Sequence, residues 1–368
     1  MSLTDREREL LRLLREHPLA TPEDLARLTG NTRAAVNVHL TRLREKGHIL
    51  GRGYVLRPEG SVLVIGGANL DLKSRLHAPA VPGTSNPGTT TAAPGGVARN
   101  IAENLARLGV PTGLLSAIGH DDTGARLLDA TRASGVDVSP IVRTDDPTGT
   151  YSAILDPHGE LILAVASMRA VDALTPDVIR TRRALIDRAS AVIVDCNVPQ
   201  DTLLHAARTA QASHTPLYVE PVSVPKAARL RALLAEGLPV HAVTPNRDEL
   251  AALTDRDTRT DDGLHAAVQD LHARGVRVVW VRLGEAGSLL SADGDARHHA
   301  ATPTQVRDVT GAGDAMLAGY LYATLRGDDP HTAARAGHAL AALTIQSDHT
   351  VRPDLTADLL DAHTQETA

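Results

Sequence analysis

"SVLVIGGANLDL", residues 61–72, opens the main body of the chain. Its apolar run ends in Gly66-Gly67. A short, continuous apolar run bounded by a glycine turn reads as a strand buried on both faces. Comparable runs recur at 191–195 (AVIVD), 217–220 (LYVE), 240–244 and 277–283 (RVVWVRL). Segments with helical periodicity lie between them, at 98–108, 123–134, 201–212 and 263–274. Strands alternating with helices over about 290 residues predict a mostly parallel sheet with helices on both faces. One region departs from this pattern. Residues 149–155 (GTYSAIL) and 161–167 (LILAVAS) read as a hairpin around "DPHGE". With 72–77 and 89–93 they predict a small separate sheet, such as a lid.

Upstream of Ser61 the texture differs. Residues 1–17 read as a helix with Leu10, Leu11 and Leu14 at helical spacing, stopped by Pro18. "TPEDLARLTG" predicts a second helix, with Thr21 as N-cap, Pro22 at its first position and Gly30 at its end. "NTRAAVNVHLTRLREKG" predicts a third, with Val36, Leu40 and Leu43 as its apolar stripe and Gly47 as its stop. "HILGRGYVL" (48–56) alternates through a glycine turn like a hairpin. Three helices and a hairpin resemble a winged helix-turn-helix, whose last helix enters the major groove of DNA. Arg33, Asn37, Thr41 and Arg44 fall on one stripe of the third helix and are the candidate DNA contacts. A docking module with a solvated charged face is the bland reading of the same stripe. The expected division is a domain at 1–58, a short linker "RPEG" (57–60) and a second domain at 61–360.

Charge follows this division. Residues 1–58 carry 11 basic and 7 acidic side chains, the remainder 27 and 37, so a net charge of −6 hides a basic module on an acidic body. Hydrophobic residues at 42% and charged residues at 22% suit a soluble globular protein. The single Cys196 excludes an internal disulfide and suits a reducing compartment. No apolar run reaches the roughly 18 residues of a membrane span. The charged start "MSLTDREREL" lacks the apolar core of a signal peptide, so a cytoplasmic location is expected.

The chemistry concentrates in "DVTGAGDAMLAG", residues 308–319. Gly311-Ala312-Gly313 stands just before a helix, where backbone amides and the helix N-terminus can hold an anion. A carboxylate beside a pure anion site would repel the ligand. Asp314 makes sense if it takes a proton from a neighbouring hydroxyl while the amides steady a transferring phosphoryl group. The bland reading is that Asp314 only caps the helix. The chain has no G-x-x-x-x-G-K-[ST], which disfavours a Walker-type site. "PGGVARNIAENLARLG" (94–109) opens a second helix at Gly95-Gly96, with Asn100 in its first turns. "TPNRDEL" (244–250) sets Asn246 and Glu249 three residues apart.

In this order the three motifs resemble the PfkB (ribokinase-like) family of sugar and nucleoside kinases, over residues 62–355. The resemblance implies a three-layer α/β/α sandwich with a small β-sheet lid, and the use of ATP with Mg²⁺. It implies that Asp314 is the catalytic base and that Gly311, Ala312 and Gly313 form the anion hole. Asn246 and Glu249 would lie near the ATP phosphates and Mg²⁺, with Glu249 acting through water. Gly284 and Gly287 of "RLGEAGSLL" (282–290) would let the nucleotide approach. Asp71, Gly95, Gly96 and Asn100 would hold the hydroxyls of the substrate's ribose. Asp308 resembles the position near the family's monovalent-cation site, where K⁺ would bind.

A finer set comprises "GGANLDL", "TSNPG" (84–88), "TYSAILD" (150–156) and "VDCNVP" (194–199). It resembles the pseudouridine kinases of that family, which phosphorylate the 5′-hydroxyl of a C-glycosidic nucleoside. By that resemblance Asn69, Asn86 and Ser152 line a nucleoside site, although "SNPG" also reads as an ordinary β-turn. A kinase for ribose or another nucleoside is one competing expectation. A ligand-sensing transcription regulator built on a kinase fold is another. The resemblance also implies a homodimer formed through the lid. Three positions depart from the family pattern: Ala98 for glycine, Glu220 for aspartate and Thr244 for lysine. Cys196 reads as a small strand-end residue, and His298-His299 as a solvated turn.

Overall fold

Thr4, Thr21 and Thr32 each accept a hydrogen bond from an amide in the next turn, and each starts a helix. The resulting helices are α1 (Asp5–Glu16), α2 (Pro22–Thr29) and α3 (Arg33–Glu45). The protein is represented by a computed structural model that describes residues 3–17, 20–49 and 60–366. Leu10, Leu11, Leu14, Leu25, Val36, Leu40 and Leu43 form the core of this helical module. Buried Glu7 accepts a 2.7 Å ion pair from Lys46, which ties α1 to the end of α3. Arg33, Asn37, Thr41 and Arg44 are all exposed on α3, with Arg33 paired to Glu23 at 2.7 Å. Pro18, the hairpin beyond Ile49 and most of the linker lie outside the described residues.

The body contains the strands β1 (Val62–Ile65), β2 (Asn69–Leu76), β3 (Gly88–Gly95), β4 (Thr112–Leu115), β5 (Ala117–Gly119), β6 (Val142–Thr144) and β7 (Gly149–Leu155). They are followed by β8 (Leu161–Ser167), β9 (Ala191–Asp195), β10 (Leu217–Glu220), β11 (Val240–Val243), β12 (Val276–Arg282), β13 (Ser288–Ala292) and β14 (Asp295–His299). Its helices are α4 (Val97–Arg107), α5 (Asp122–Ala133), α6 (Pro176–Thr181), α7 (Arg183–Arg188), α8 (Gln200–Ala212) and α9 (Val224–Ala235). Then come α10 (Arg247–Thr254), α11 (Asp261–Ala273), α12 (Ala312–Leu325), α13 (Pro330–Ile345) and α14 (Ala357–Glu366).

Among the described residues the main sheet runs β14-β13-β12-β11-β10-β9-β1-β4. Strands β4 to β12 of this order are parallel, and β13 and β14 close one edge antiparallel. Period-two alternation splits β1 between two cores. Val62 and Val64 pack with α4, α12 and α13, while Leu63 and Ile65 pack with α8, α9 and α11. Both faces are therefore covered, as the apolar strands predict. Helices α12 and α13 approach closely through Gly319 and Gly337, where any side chain would strike the other helix or the Trp280 ring.

The small sheet forms as expected, in the order β3-β2-β7-β8. Its register decides which side chains share a face. Asn69, Asp71 and Lys73 alternate onto one face of β2, and Asp71 lies across from Tyr151 on β7. Ser152 lies across from Leu72 and therefore on the opposite face, so the expectation that Ser152 shares a site with Asp71 is corrected. His298 and His299 belong to edge strand β14 rather than to a turn. The turn is the preceding Asp293-Gly294, both at positive φ (50° and 86°), as a two-residue hairpin loop requires.

Candidate active site

The C-terminal ends of β1, β9, β10 and β12 converge with the N-termini of α4, α10 and α12. In an open parallel sheet this is where ligands bind. Asp195, at the end of β9, is the hub. One of its oxygens accepts from the amides of Gly67 and Ala98, both at 2.9 Å, and the other from the amide of Asn197 at 2.9 Å. It fixes the glycine turn after β1 and the start of α4 together. A side chain at Gly66 would overlap this carboxylate. The "DCN" stretch thus has a structural role at this site. Cys196 is fully buried, and burial pushes its thiol well above the usual range, which leaves it no nucleophilic role.

Gly95 ends β3 directly against the Asp71 carboxylate, with no room for a side chain. Gly96 has φ +101° and lies against the backbone of Gly67 and Ala68, so the pair opens α4 at the edge of the small sheet. Asn69 donates to Asp71 at 2.6 Å. Burial raises the Asp71 pKa, partly offset by that bond. Asn86 is not brought here. Its side chain bonds Val81 N and O at 2.8 and 2.9 Å and Thr84 O at 3.0 Å, inside its own loop. That loop joins the far ends of β2 and β3, where Leu76 pairs with Gly88, about 17 Å along the strand from Asp71. Asn86 thus lies apart from Asp71, and "SNPG" is not itself a turn: the turn is at Pro82-Gly83, and Gly88 already begins β3.

Asp314 does not cap α12. The helix begins at Gly311 without a side-chain cap, and Asp314 instead accepts a 2.8 Å hydrogen bond from Asn100 of α4. The Asn100 amide is oriented by Arg99, which donates to its oxygen at 3.1 Å. Burial raises the Asp314 pKa to about 8 against the lowering by Asn100, with Glu220 adding to the rise. Gly311 has φ +83° and packs against the Thr350 carbonyl. Gly313 faces the Arg282 guanidinium with no space between. The Ala312 amide donates to the Val309 carbonyl at 3.2 Å, while the Gly311 and Gly313 amides have no intrahelical partner.

Arg282, at the end of β12, was not among the expected site residues. It donates to Glu220 at 2.7 Å and to Glu249 at 3.2 Å. Burial opposes its charge, but the two carboxylates outweigh this and raise its pKa. Glu220 also accepts from Thr244 and from Val222 N at 3.2 Å. The two departures at 220 and 244 thus contact each other: the longer glutamate reaches Arg282, and the threonine holds it there. Only the final "VR" before "LG" could have signalled this residue, since an arginine ending a buried strand needs a buried partner. Asn246 and Glu249 form a reciprocal capping box on α10, with both bonds at 2.8 Å. Gly287 combines φ +87° with close contact to the His299 carbonyl, while Gly284 has φ +62° in open space.

Buried Glu220 and Glu249 contact the half-buried Arg282 guanidinium, and the buried Asp314 carboxyl lies near it. Among the described residues no cluster of three or more His, Cys, Asp or Glu side chains is placed to hold a metal directly, so a divalent cation here would be held through its water shell, with Glu249 as the carboxylate facing it. The carboxylate of Asp308 is already engaged by the Lys73 ammonium.

Residues 59–357 match the model of the pfkB family of carbohydrate kinases. The chain belongs to this family. Residues 3–49 match a winged helix-turn-helix DNA-binding model, so the kinase body carries an N-terminal winged helix-turn-helix. The chain is 34% identical to the uncharacterised sugar kinase YeiI of Escherichia coli K12, covering 97% of this chain and 98% of that one. It is 32% identical to the pseudouridine kinase of E. coli K12, covering 82% and 95%. In fold it is similar to Arabidopsis thaliana ribokinase solved with ribose and ATP, with TM-score 0.73 and 23% identity over 84% and 99% of the two chains. This pfkB-family protein is thus a kinase of the sugar and nucleoside class. Among its described residues no helix is long and apolar enough to cross a membrane.

Proposed function

We propose that the protein transfers the γ-phosphoryl group of ATP to the 5′-hydroxyl of pseudouridine. The observation that carries the reaction type is the Asn100–Asp314 pair, which puts a buried carboxylate beside the amides of the α12 N-terminus. The nucleoside lies between the small sheet and α4, its ribose hydroxyls on Asn69, Asp71 and the Gly95-Gly96 backbone. Asp314 takes the 5′-hydroxyl proton as that oxygen attacks the γ-phosphorus, and the bond to the β,γ-bridging oxygen breaks to release ADP. The amides at Gly311, Ala312 and Gly313 receive the charge that develops on the phosphoryl oxygens. Arg282 sits against this turn and adds a fixed positive charge. Glu249 would hold Mg²⁺ through water, and the ion would supply charge neutralisation on the nucleotide phosphates. Gly284 and Gly287 shape the nucleotide side.

The pseudouridine assignment is supported by the similarity to the pseudouridine kinases of E. coli and Arabidopsis thaliana. The test is phosphorylation of a panel of pseudouridine, uridine, cytidine, adenosine, inosine and ribose, with Asp314→Ala as control. Preference for pseudouridine, abolished by the substitution, is the expected result. Turnover of ribose or another nucleoside instead would replace the substrate and keep the reaction. Absence of turnover by the unmodified protein would favour a ligand-sensing regulator.

The lid also offers a surface for a second copy. Leu161, Ile162, Leu163 and Val165 on edge strand β8 are 46–57% exposed. An apolar edge strand left open invites pairing. Sedimentation should give a dimer that Leu163→Asp dissociates; a monomeric unmodified protein would refute this assignment.

A further inference from the structure

The resemblance to the family implies a monovalent cation at Asp308, beside the glycine turn. The structure places a different group there. Lys73 of β2 reaches from the small sheet across 235 residues of sequence and pairs with Asp308. Its ammonium also donates to the Thr310 hydroxyl at 3.0 Å. Thr310 in turn donates to the other Asp308 oxygen from its amide at 2.9 Å and its hydroxyl at 2.6 Å. Both Asp308 oxygens are thereby used, one by the ammonium and one by the turn that leads into Gly311. Lys73 and Asp308 are about a quarter exposed, so the pair is partly shielded from solvent. Lys73 shares its strand face with Asn69 and Asp71, and it stabilises the charged form of Asp71.

We propose that the Lys73 ammonium is a built-in cation that does the work of a bound monovalent ion at Asp308 and joins the lid to the anion hole. Resting on the kinase reading above, this makes Lys73 a positioning residue: it orders the 308–311 turn so that the α12 amides face the crevice. A positive charge carried by the chain needs no dissolved ion to fill its place. Because that charge rides on the lid strand, the order of the turn depends on where the small sheet sits. A free ion would not impose this coupling.

The experiment compares the full-length protein and Lys73→Ala in KCl, NH₄Cl and tetramethylammonium chloride at matched ionic strength, reading kcat and thermal midpoint. The unmodified protein should vary less than about twofold among the salts. Lys73→Ala should lose about tenfold or more of kcat in tetramethylammonium chloride and regain much of it in KCl or NH₄Cl, because a small cation can refill the corner and a bulky one cannot. Its midpoint should rise in KCl, whereas that of the unmodified protein should not. Lys73→Met, which fills the space with an apolar chain, should not be rescued. Strong K⁺ activation of the unmodified protein would overturn the inference. So would full activity of Lys73→Ala without a small cation, or a loss that no cation repairs. If no panel compound is phosphorylated at all, the kinase reading fails, and the midpoints alone decide whether Lys73 replaces a cation.

Discussion

Asp314 shows how one residue carries opposing demands. Its carboxyl is raised to about 8 by burial, yet as a base it must be ionised. In the unliganded protein kcat/KM should therefore rise with pH up to about 8, close to tenfold per unit below it, and level off above. A flat profile between pH 6 and 8 would refute Asp314 as the titrating base. The same shift has a stability consequence. A carboxyl whose folded pKa lies above its unfolded value binds its proton preferentially in the fold. Asp314 therefore costs stability progressively as pH climbs from about 4 to about 8. Asp314→Asn should abolish turnover and raise the thermal midpoint at pH 8 by several degrees, with little change at pH 4. Loss of both activity and midpoint at pH 8 would point to a structural role instead. Arg282 is the counterpart: a half-buried guanidinium kept charged because two buried carboxylates flank it.

At the scale of an element, α10 separates two roles that its sequence leaves fused. The Asn246–Glu249 spacing serves a capping box, and the same residues are proposed to face the nucleotide. Asparagine and aspartate cap equally well, whereas alanine does not. Asn246→Ala should lose about 1 kcal/mol of stability in chemical denaturation, and Asn246→Asp almost none. If Asn246 also meets the phosphates, Asn246→Asp should still raise KM for ATP about tenfold, through the added negative charge. An unchanged KM in a fully stable Asn246→Asp protein would leave the residue only its capping role. Strand β2 is a second such element. Its odd positions, Asn69, Asp71 and Lys73, share one face, so a register slip of one residue would turn all three to the other side.

At the scale of the whole molecule, a winged helix-turn-helix is joined to a kinase body. The exposed α3 stripe of Arg33, Asn37, Thr41 and Arg44 suits a phosphate backbone and base edges. Binding to DNA fragments should weaken steeply with salt, each phosphate contact contributing about −0.9 to the slope of log K against log salt. Arg33→Ala with Arg44→Ala should weaken that binding at least tenfold and leave kinase turnover unchanged. Salt-insensitive binding, or none, would assign the module to protein docking.

Much of this molecule is written locally. The apolar strands, the helical periodicities and the threonine caps fix elements through interactions among near neighbours, and the small lid sheet follows from alternation at 149–155 and 161–167. The glycines at 96 and 311 mark where another backbone approaches closely, and those at 95 and 313 where the Asp71 and Arg282 side chains do. What the sequence could not show is whatever depends on two distant segments meeting. Lys73 on Asp308, Arg282 between Glu220 and Glu249, and Asn100 on Asp314 join residues 33 to 235 positions apart. The faces of Ser152 and Asn86 were likewise undecided. A strand's two faces look alike until register selects one, and a loop residue's partners are set by how its own turn closes. Local physics determined the elements and the motifs; only the packed sheet, by bringing strand ends and helix starts into one crevice, decided which charges meet.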